Sequence, residues 1–160
     1  MSASEQREQL AMQQSNLVRA LTGQGLHPAG FETARLQAAA RSLLRKRMQS
    51  VAIAWPRLAK AMGEPLREKF AAYAATTPLP GHGGALADGR AFVRFLNAAR
   101  ELPDEGRLEA MAIDLRFVKR RGALVPRSGP AMRVALLPRR GKIVLAARIP
   151  WIGEKWLQLP

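Results

Sequence analysis

Cysteine is absent from this chain of 160 residues, and histidine occurs only twice, as His27 and His82. Without cysteine there can be no disulfide, no thiolate nucleophile and no thiolate metal site, and nothing indicates an oxidising compartment. Two isolated histidines also leave a zinc site of the usual kind short of ligands. We therefore predict that the protein holds no metal ion and no cofactor of its own.

Long hydrophobic runs are missing as well. The first residues, MSASEQREQLAMQQSN, are polar and include no apolar segment of the signal-peptide type, and no later run approaches transmembrane length. We expect a cytoplasmic protein that makes no contact with a membrane.

Acidic residues are scarce, because 12 aspartates and glutamates stand against 26 lysines and arginines, which gives a formal net charge of +14. The excess is uneven: residues 115–160 carry eleven basic groups and one acidic group. A field of this sign and size favours an anionic partner, which is a nucleic acid, an acidic protein surface or an acidic peptide.

The hydrophobic pattern predicts helices first and a small antiparallel sheet last, which is an α+β fold. With 48% hydrophobic residues, the chain is long enough for one helical core and a smaller appended layer. We divide it into an N-terminal arm or helix at residues 1–30, a helical domain at 31–122 and a basic β subdomain at 123–160. The arm either packs as a first helix or docks only on a partner.

A long helix is predicted from Phe31 to Trp55, and Pro56 should end or kink it. Its middle carries a basic band, which we interpret as a solvated face made of Arg41, Arg45, Lys46 and Arg47. Further on, Gly63 and Pro65 should separate two short helices. Asp88 is predicted to cap the helix that follows, from about residue 89 to residue 99.

The segment Pro103–Gly122 predicts one more helix, with proline at its first position and a glycine that can end it in the left-handed conformation. Its acidic residues complement the positive end of the helix dipole, so they do not require a catalytic role. The helix should pack on a core through one apolar stripe. The stripe consists of Leu108, Met111, Ala112, Leu115 and Val118.

The last part of the chain predicts a proline- and glycine-rich link and then a hairpin around PRRG, with Gly141 as a left-handed turn residue. One face of the hairpin should pack, through Met132, Val134, Leu136, Ile143, Leu145 and Ile149. The opposite face should be basic, through Arg133, Lys142 and Arg148. Trp151 and Trp156 are expected to cover the apolar side of the sheet, and the closing residues should add a short third strand.

The order of motifs between Trp55 and Glu109 resembles a known family. The marks are Trp55-Pro56 with Leu58, Gly63, Phe70, Tyr73, Pro78, Leu86, Gly89, Phe92, Phe95-Leu96, Leu102 and Arg107-Leu108-Glu109. Their order is similar to that of the helical domain of HvfC/BufC-type proteins, a domain labelled as DNA-binding. From Arg35 onward the chain looks closer still to the actinobacterial module that forms the C-terminal extension of a multinuclear non-haem iron-dependent oxidative enzyme.

The resemblance implies a non-catalytic partner protein in the biosynthesis of ribosomally made peptide natural products. Such a protein would bind the precursor peptide and dock on the iron enzyme, to which the iron belongs. On this hypothesis the edge of a short sheet accepts an acidic peptide as an added strand. The candidate contacts for the peptide, or for a nucleic acid, are Arg116, Lys119, Arg120, Arg121, Arg133, Arg139, Arg140, Lys142 and Arg148.

DNA binding is the alternative function, because helix, helix and hairpin in that order can form a winged helix with the PRRG turn as its wing. A recognition helix presents its N-terminal part to the bases, and here that part would carry Asp104, Glu105 and Glu109. These carboxylates argue against sequence reading by the helix, although the basic sheet could still grip phosphates. RNA is less favoured, since the exposed basic face lacks aromatic residues for stacking.

Overall fold

Six helices precede two small antiparallel sheets in the computed structural model, which describes residues 3–21, 33–120 and 123–160. The helices are α1 (Ala3–Leu21), α2 (Thr33–Ala54), α3 (Pro56–Met62), α4 (Leu66–Thr76), α5 (Gly84–Ala98) and α6 (Asp104–Arg116). The strands are β1 (Phe117–Arg120), β2 (Ala123–Pro126), β3 (Ala131–Leu137), β4 (Lys142–Ile149) and β5 (Gly153–Leu159). This order confirms the predicted α+β fold with an N-terminal helical part.

Prolines and glycines break the helices where the sequence predicts. Trp55 leaves the helical conformation, with φ −130° and ψ 63°, and Pro56 opens α3 as its first residue. Gly63 has a φ of +54°, and Pro65 lies one residue before α4, as its N-cap. The predicted start of the long helix at Phe31 lies outside the described residues. The side chains of residues 4–16 on α1 are all exposed.

The helical core is built around aromatic side chains from α4 and α5. The rings of Phe70 and Phe92 have centroids 5.1 Å apart in an edge-to-face arrangement, and Tyr73 lies 5.3 Å from Phe92. Trp55 is fully buried beside them, and its Nε1 donates a hydrogen bond to the Leu86 carbonyl at 3.2 Å. Such contacts contribute more than the burial of apolar area alone. The family-like aromatic motifs therefore have a structural role.

A buried ion pair joins α2 to α5, and it corrects two predictions. Asp88 does not cap a helix, because α5 already begins at Gly84 and turns this carboxylate into the core, where it is 1% exposed. Arg47 does not belong to the predicted solvated face, because its guanidinium pairs with the Asp88 carboxylate. The Nε–Oδ2 and Nη2–Oδ1 distances are 2.8 and 2.7 Å. Arg41, Arg45 and Lys46 are exposed, as predicted.

Helix α6 lies between two hydrophobic cores. Ala110 and Ile113 pack into the helical core, while Met111 and Leu115 belong to a second core formed with the inner side of the three-stranded sheet. Glu109 is also buried, and its carboxylate accepts hydrogen bonds from the first backbone N–H groups of α3, including that of Leu58 at 2.7 Å. The helix is thus covered on both sides, and not only along the predicted stripe.

The prediction of one helix from Pro103 to Gly122 is wrong at its C-terminal end. Helix α6 ends at Arg116, and β1 follows at once and pairs antiparallel with β2, with Val118 opposite Val125. The segment predicted as a link therefore contains a strand. Phe117 and Val118 favour extended structure, and both are half-buried in this hairpin. The predicted helix end at Gly122 lies outside the described residues.

The three-stranded sheet has the order β3-β4-β5, and Gly141, with a φ of +60°, confirms the predicted turn. Its two faces are the reverse of the prediction. The aliphatic face predicted to pack is turned to solvent, and the side facing α6 carries Ala131, Arg133, Ala135, Leu137, Val144, Ala146 and Arg148. Trp151 is fully exposed and covers nothing, whereas Trp156 lies on the inner side and is 40% exposed.

The small residues of β3 and β4 explain this orientation. Ala135 and Ala146 leave room for the side chains that α6 projects onto the sheet, and Leu137 and Val144 fill the centre of the contact. The two inner arginines reach backbone carbonyls at the periphery, since a long alkyl stem allows the guanidinium to leave the core. No helix within the described ranges is both long and apolar enough to cross a membrane.

Candidate functional site

The outer face of the three-stranded sheet is apolar and exposed. Its large apolar side chains are Met132, Val134, Leu136, Ile143, Leu145, Ile149, Leu157 and Leu159, of which Leu145 is half-buried, and Lys155 lies on the same face. Met132, Val134 and Leu136 are 64%, 61% and 59% exposed. The register places Val134 opposite Leu145, which in turn lies opposite Leu157, so the surface is continuous across all three strands. A contiguous exposed apolar patch of this kind is typical of a protein-binding surface.

A cleft of about 710 Å³ lies between the helices and the inner side of β5, and we call it the β5 cleft. Trp156 and Phe117 give it an apolar wall. Arg116 and Glu154 form a bidentate ion pair on its lining, with Nε–Oε1 and Nη2–Oε2 distances of 2.6 and 3.1 Å. The hydrogen bond from Arg116 lowers the pKa of the Glu154 carboxyl, and the same bond raises the pKa of Arg116. Both groups are therefore charged at neutral pH.

A second cleft, of about 430 Å³, lies between β3 and helices α5 and α6, and we call it the β3 cleft. It follows the strand from Arg133 to Leu136 on one side and the arginine-rich surface of the two helices on the other. Because β3 is an outer strand of its sheet, this cleft borders a strand edge that no other described strand covers. Each outer strand of the sheet thus has a cleft beside it.

The eight described members of the predicted basic set lie on α6, β1, β3, β4 and the turn between β3 and β4. Lys119 and Arg120 are exposed on β1, whereas Arg139 and Lys142 are exposed around the turn between β3 and β4. Arg121 lies outside the described residues. The structure therefore brings only part of the predicted set together, at the β3–β4 turn.

Four other members of the predicted set are already engaged within the chain. Arg116 pairs with Glu154, and Arg140 forms an ion pair with Glu105 of α6. Arg133 Nη1 donates to the Met132 carbonyl, and Arg148 Nη1 donates to the Arg127 carbonyl, each at 2.9 Å. The interactions of Arg116, Arg140 and Arg148 connect separate parts of the chain, whereas that of Arg133 is local.

Comparison with known proteins places the helical part of the chain in a family. The family described as SCO6045-like, C-terminal domain, matches residues 11–98, which is more than half of the sequence. The chain belongs to this family. The match begins within α1, so residues 11–30 of the N-terminal arm fall within the family region, although the resemblance starts only at Arg35.

One relative of this SCO6045-like chain is a UPF0276 protein from Streptomyces avermitilis, which is 33% identical over 132 residues. The match covers 81% of the present chain but only 26% of the relative. The chain therefore spans about a quarter of the length of that relative. No solved structure matches the chain.

Sequence reasoning missed the functional potential of the helical arginines in this SCO6045-like chain. Arg90, Arg94 and Arg107 precede the basic C-terminal segment in sequence, yet all three line the β3 cleft together with Arg133. Arg107 belongs to one of the family-like motifs, but no local pattern groups it with the other two, because α5 and α6 are brought to the edge of β3 only by the tertiary fold. No cluster of three or more histidines, aspartates or glutamates within the described ranges is placed to hold a metal ion.

Proposed function

We propose that this chain is a non-catalytic partner protein that binds a precursor peptide and docks on a multinuclear non-haem iron oxidative enzyme in ribosomal peptide natural-product biosynthesis. The observation that supports the proposal best is the exposed apolar outer face of the three-stranded sheet. Large aliphatic side chains on three adjacent strands lose unfavourable contact with water when another protein covers them.

The relative from Streptomyces supports a protein partner for this face. There, a segment similar to the present chain is one quarter of a much longer protein, so the same module is covalently attached to a large additional part. In the proposed assembly, a separate protein similar to that additional part docks on the outer face. The HvfC/BufC-type resemblance supports the identity of this protein as an iron enzyme.

Charge favours such a partner over a second copy of the chain. Lys155 lies on the outer face itself, and Arg139 and Lys142 are exposed at the end of β3 and β4. Two copies with a net charge of +14 each would bring like charges together around an apolar centre, which opposes association. A partner with carboxylates around an apolar patch complements both features.

DNA binding remains the alternative, but the burial of α6 does not favour this helix as a recognition helix. Asp104, Gly106 and Glu109 on the N-terminal half of α6 are all buried, and the helix lies between two cores. The alternative then depends on the exposed basic side chains alone, which would give a grip on phosphates that is independent of sequence.

The proposal is tested with the host protein that resembles the part of the Streptomyces relative beyond the matched quarter. We expect the purified chain to bind it, and the Leu157→Asp variant to bind at least about tenfold more weakly, because a charge on the outer face would have to be desolvated. Leu79→Asp is the matched control, since Leu79 is 58% exposed and Leu157 is 57% exposed. Both variants should keep the wild-type melting temperature.

The peptide half of the proposal needs a reconstitution. The enzyme with its precursor peptide should produce an oxidised peptide, detected by mass spectrometry, only when the chain is present. Equal reaction without the chain would contradict the proposed function. Absence of enzyme binding, together with a high 260/280 nm ratio that nuclease removes, would support the DNA-binding alternative.

A further inference from the structure

We infer that the β3 cleft is a carboxylate-binding site, which holds an acidic segment of the peptide in extended form along the free edge of β3. The inference rests on the proposed function for the nature of the ligand as a peptide. The site itself follows from the arginines that the fold brings to one cleft.

Four guanidinium groups line this cleft against a single carboxylate. Arg90 and Arg94 come from α5, Arg107 from α6 and Arg133 from β3, while Asp114 is the acidic group. Arginine presents a planar set of donors that matches a carboxylate in a bidentate manner. The cleft therefore has a local excess of positive charge and the donor geometry that an acidic side chain requires.

One of the four arginines shows directly how the cleft accommodates a carboxylate. Arg90 Nε and Nη2 donate to the two oxygens of Asp114 at 2.9 and 2.6 Å. The other two helical arginines have N–H groups without an acceptor within the described ranges. Arg107 Nε is buried without a hydrogen-bond partner. Arg94 is exposed and has no ion-pair partner among the described residues. A buried donor without a partner is costly, so an incoming acceptor is stabilised there.

The shape of the cleft favours a peptide over a nucleic acid. It is a narrow space of about 430 Å³ between a strand edge and two helices, and its strand side runs from Arg133 to Leu136. An extended peptide can pair its backbone with the unpaired edge of β3 while every second side chain points towards the arginines. A duplex is too wide to enter such a space, since its phosphates lie on a broad convex surface.

The test uses a short fluorescein-labelled peptide of alternating glutamate and threonine, with fluorescence anisotropy as the readout on the full chain. We expect Arg94→Gln and Arg133→Gln each to weaken binding by about tenfold, as for the loss of a hydrogen bond between charged groups. Arg67→Gln is the matched control, because it removes the same charge from an exposed position on α4. It should change the affinity less than about twofold, since Arg67 does not line the β3 cleft and its charge is screened over the distance to a ligand there.

Three outcomes decide the inference. Selective loss with the two cleft variants, with melting temperatures unchanged, supports it. Equal loss with Arg67→Gln overturns it, because binding would then follow the net charge alone. A single-stranded oligonucleotide that binds more tightly than the peptide, and is weakened by the same two variants, overturns the assignment to a carboxylate ligand. If the chain binds the peptide selectively but not the enzyme, the site stands and the proposed function fails.

Discussion

Replacing Arg47 by methionine should destabilise the protein far more than any other removal of an arginine on the long helix α2. Its guanidinium meets the Asp88 carboxylate in bidentate fashion, donates to the Thr77 carbonyl at 3.1 Å, and lies 5.2 Å from the centre of the Tyr73 ring. The Tyr73 hydroxyl donates to the same carboxylate at 2.6 Å. The substitution would leave a buried carboxylate with only this neutral donor among its side-chain partners.

The expected magnitude follows from burial. The side chain of Asp88 is 1% exposed and that of Arg47 is 13% exposed, and removing one partner of a buried ion pair costs about 3–5 kcal/mol. Because Arg47 retains some contact with water, we expect the lower end, about 3 kcal/mol. For a chain of this length that loss lowers the melting temperature by about 6–12 °C. Desolvation lowers the pKa of Arg47, but the hydrogen bond and charge of Asp88 outweigh it and raise the pKa above its ordinary value.

Urea unfolding followed by tryptophan fluorescence, which should change as buried Trp55 becomes exposed, measures this loss, with Arg41→Met as the control. Arg41 is exposed on the same helix, and its replacement should cost less than about 0.5 kcal/mol. The double variant Arg47→Met with Asp88→Asn should cost less than the two single losses together, since no unpaired charge stays buried. The reasoning would be refuted if the losses of the two single variants added up in the double variant. It would also be refuted if Arg47→Met lost no more than about 1 kcal/mol beyond the Arg41→Met control, which is roughly the error of such measurements.

Three further substitutions test the junctions of the fold. Glu109→Gln removes the carboxylate that accepts the first N–H groups of α3, and urea titration should show a loss of about 1–2 kcal/mol. Hydrogen bonding to Arg116 lowers the pKa of Glu154 below the ordinary value of a glutamate. The wild type should therefore exceed Glu154→Gln in stability at pH values above that ordinary value, and it should lose the advantage as the pH falls through the lowered pKa. Because Arg116 is exposed, the difference should stay under about 1 kcal/mol. Gly89→Ala would place a Cβ 2.1 Å from Trp55 Nε1, so the indole ring must move. The near-ultraviolet circular dichroism should therefore change, and the free energy of unfolding should fall by about 1–3 kcal/mol. An unchanged spectrum would contradict this packing.

The helical part of the fold could be predicted because the signals that start and end its helices are local. Proline at the start of α3 and glycine after it act through their own backbone geometry, whatever the rest of the chain does. The end of α6 could not be predicted in the same way. Lysine and arginine at the end of a helical pattern match the helix dipole, but Phe117 and Val118 gain more by pairing with β2. A tertiary contact thus decides the boundary.

The faces of the sheet were predicted in reverse for a related reason. Alternation fixes which residues share a face, but it does not say which face packs. Large aliphatic residues suggested the face with Met132, Val134 and Leu136, whereas α6 packs on the face with alanines because it needs space for Met111 and Leu115. The candidate site depends on this choice, since it exposes the aliphatic face and turns Arg133 towards the β3 cleft.

The two proposed interactions use different parts of one sheet, so both can occur at the same time. A strand added at the free edge of β3 would continue the outer face by one strand, because side chains of adjacent strands align in register. Its inward side chains would meet the arginines of the β3 cleft, and its outward side chains would join Met132, Val134 and Leu136 in the surface offered to the enzyme. The bound segment should therefore alternate acidic with apolar residues, and the peptide would itself form part of the enzyme-binding surface.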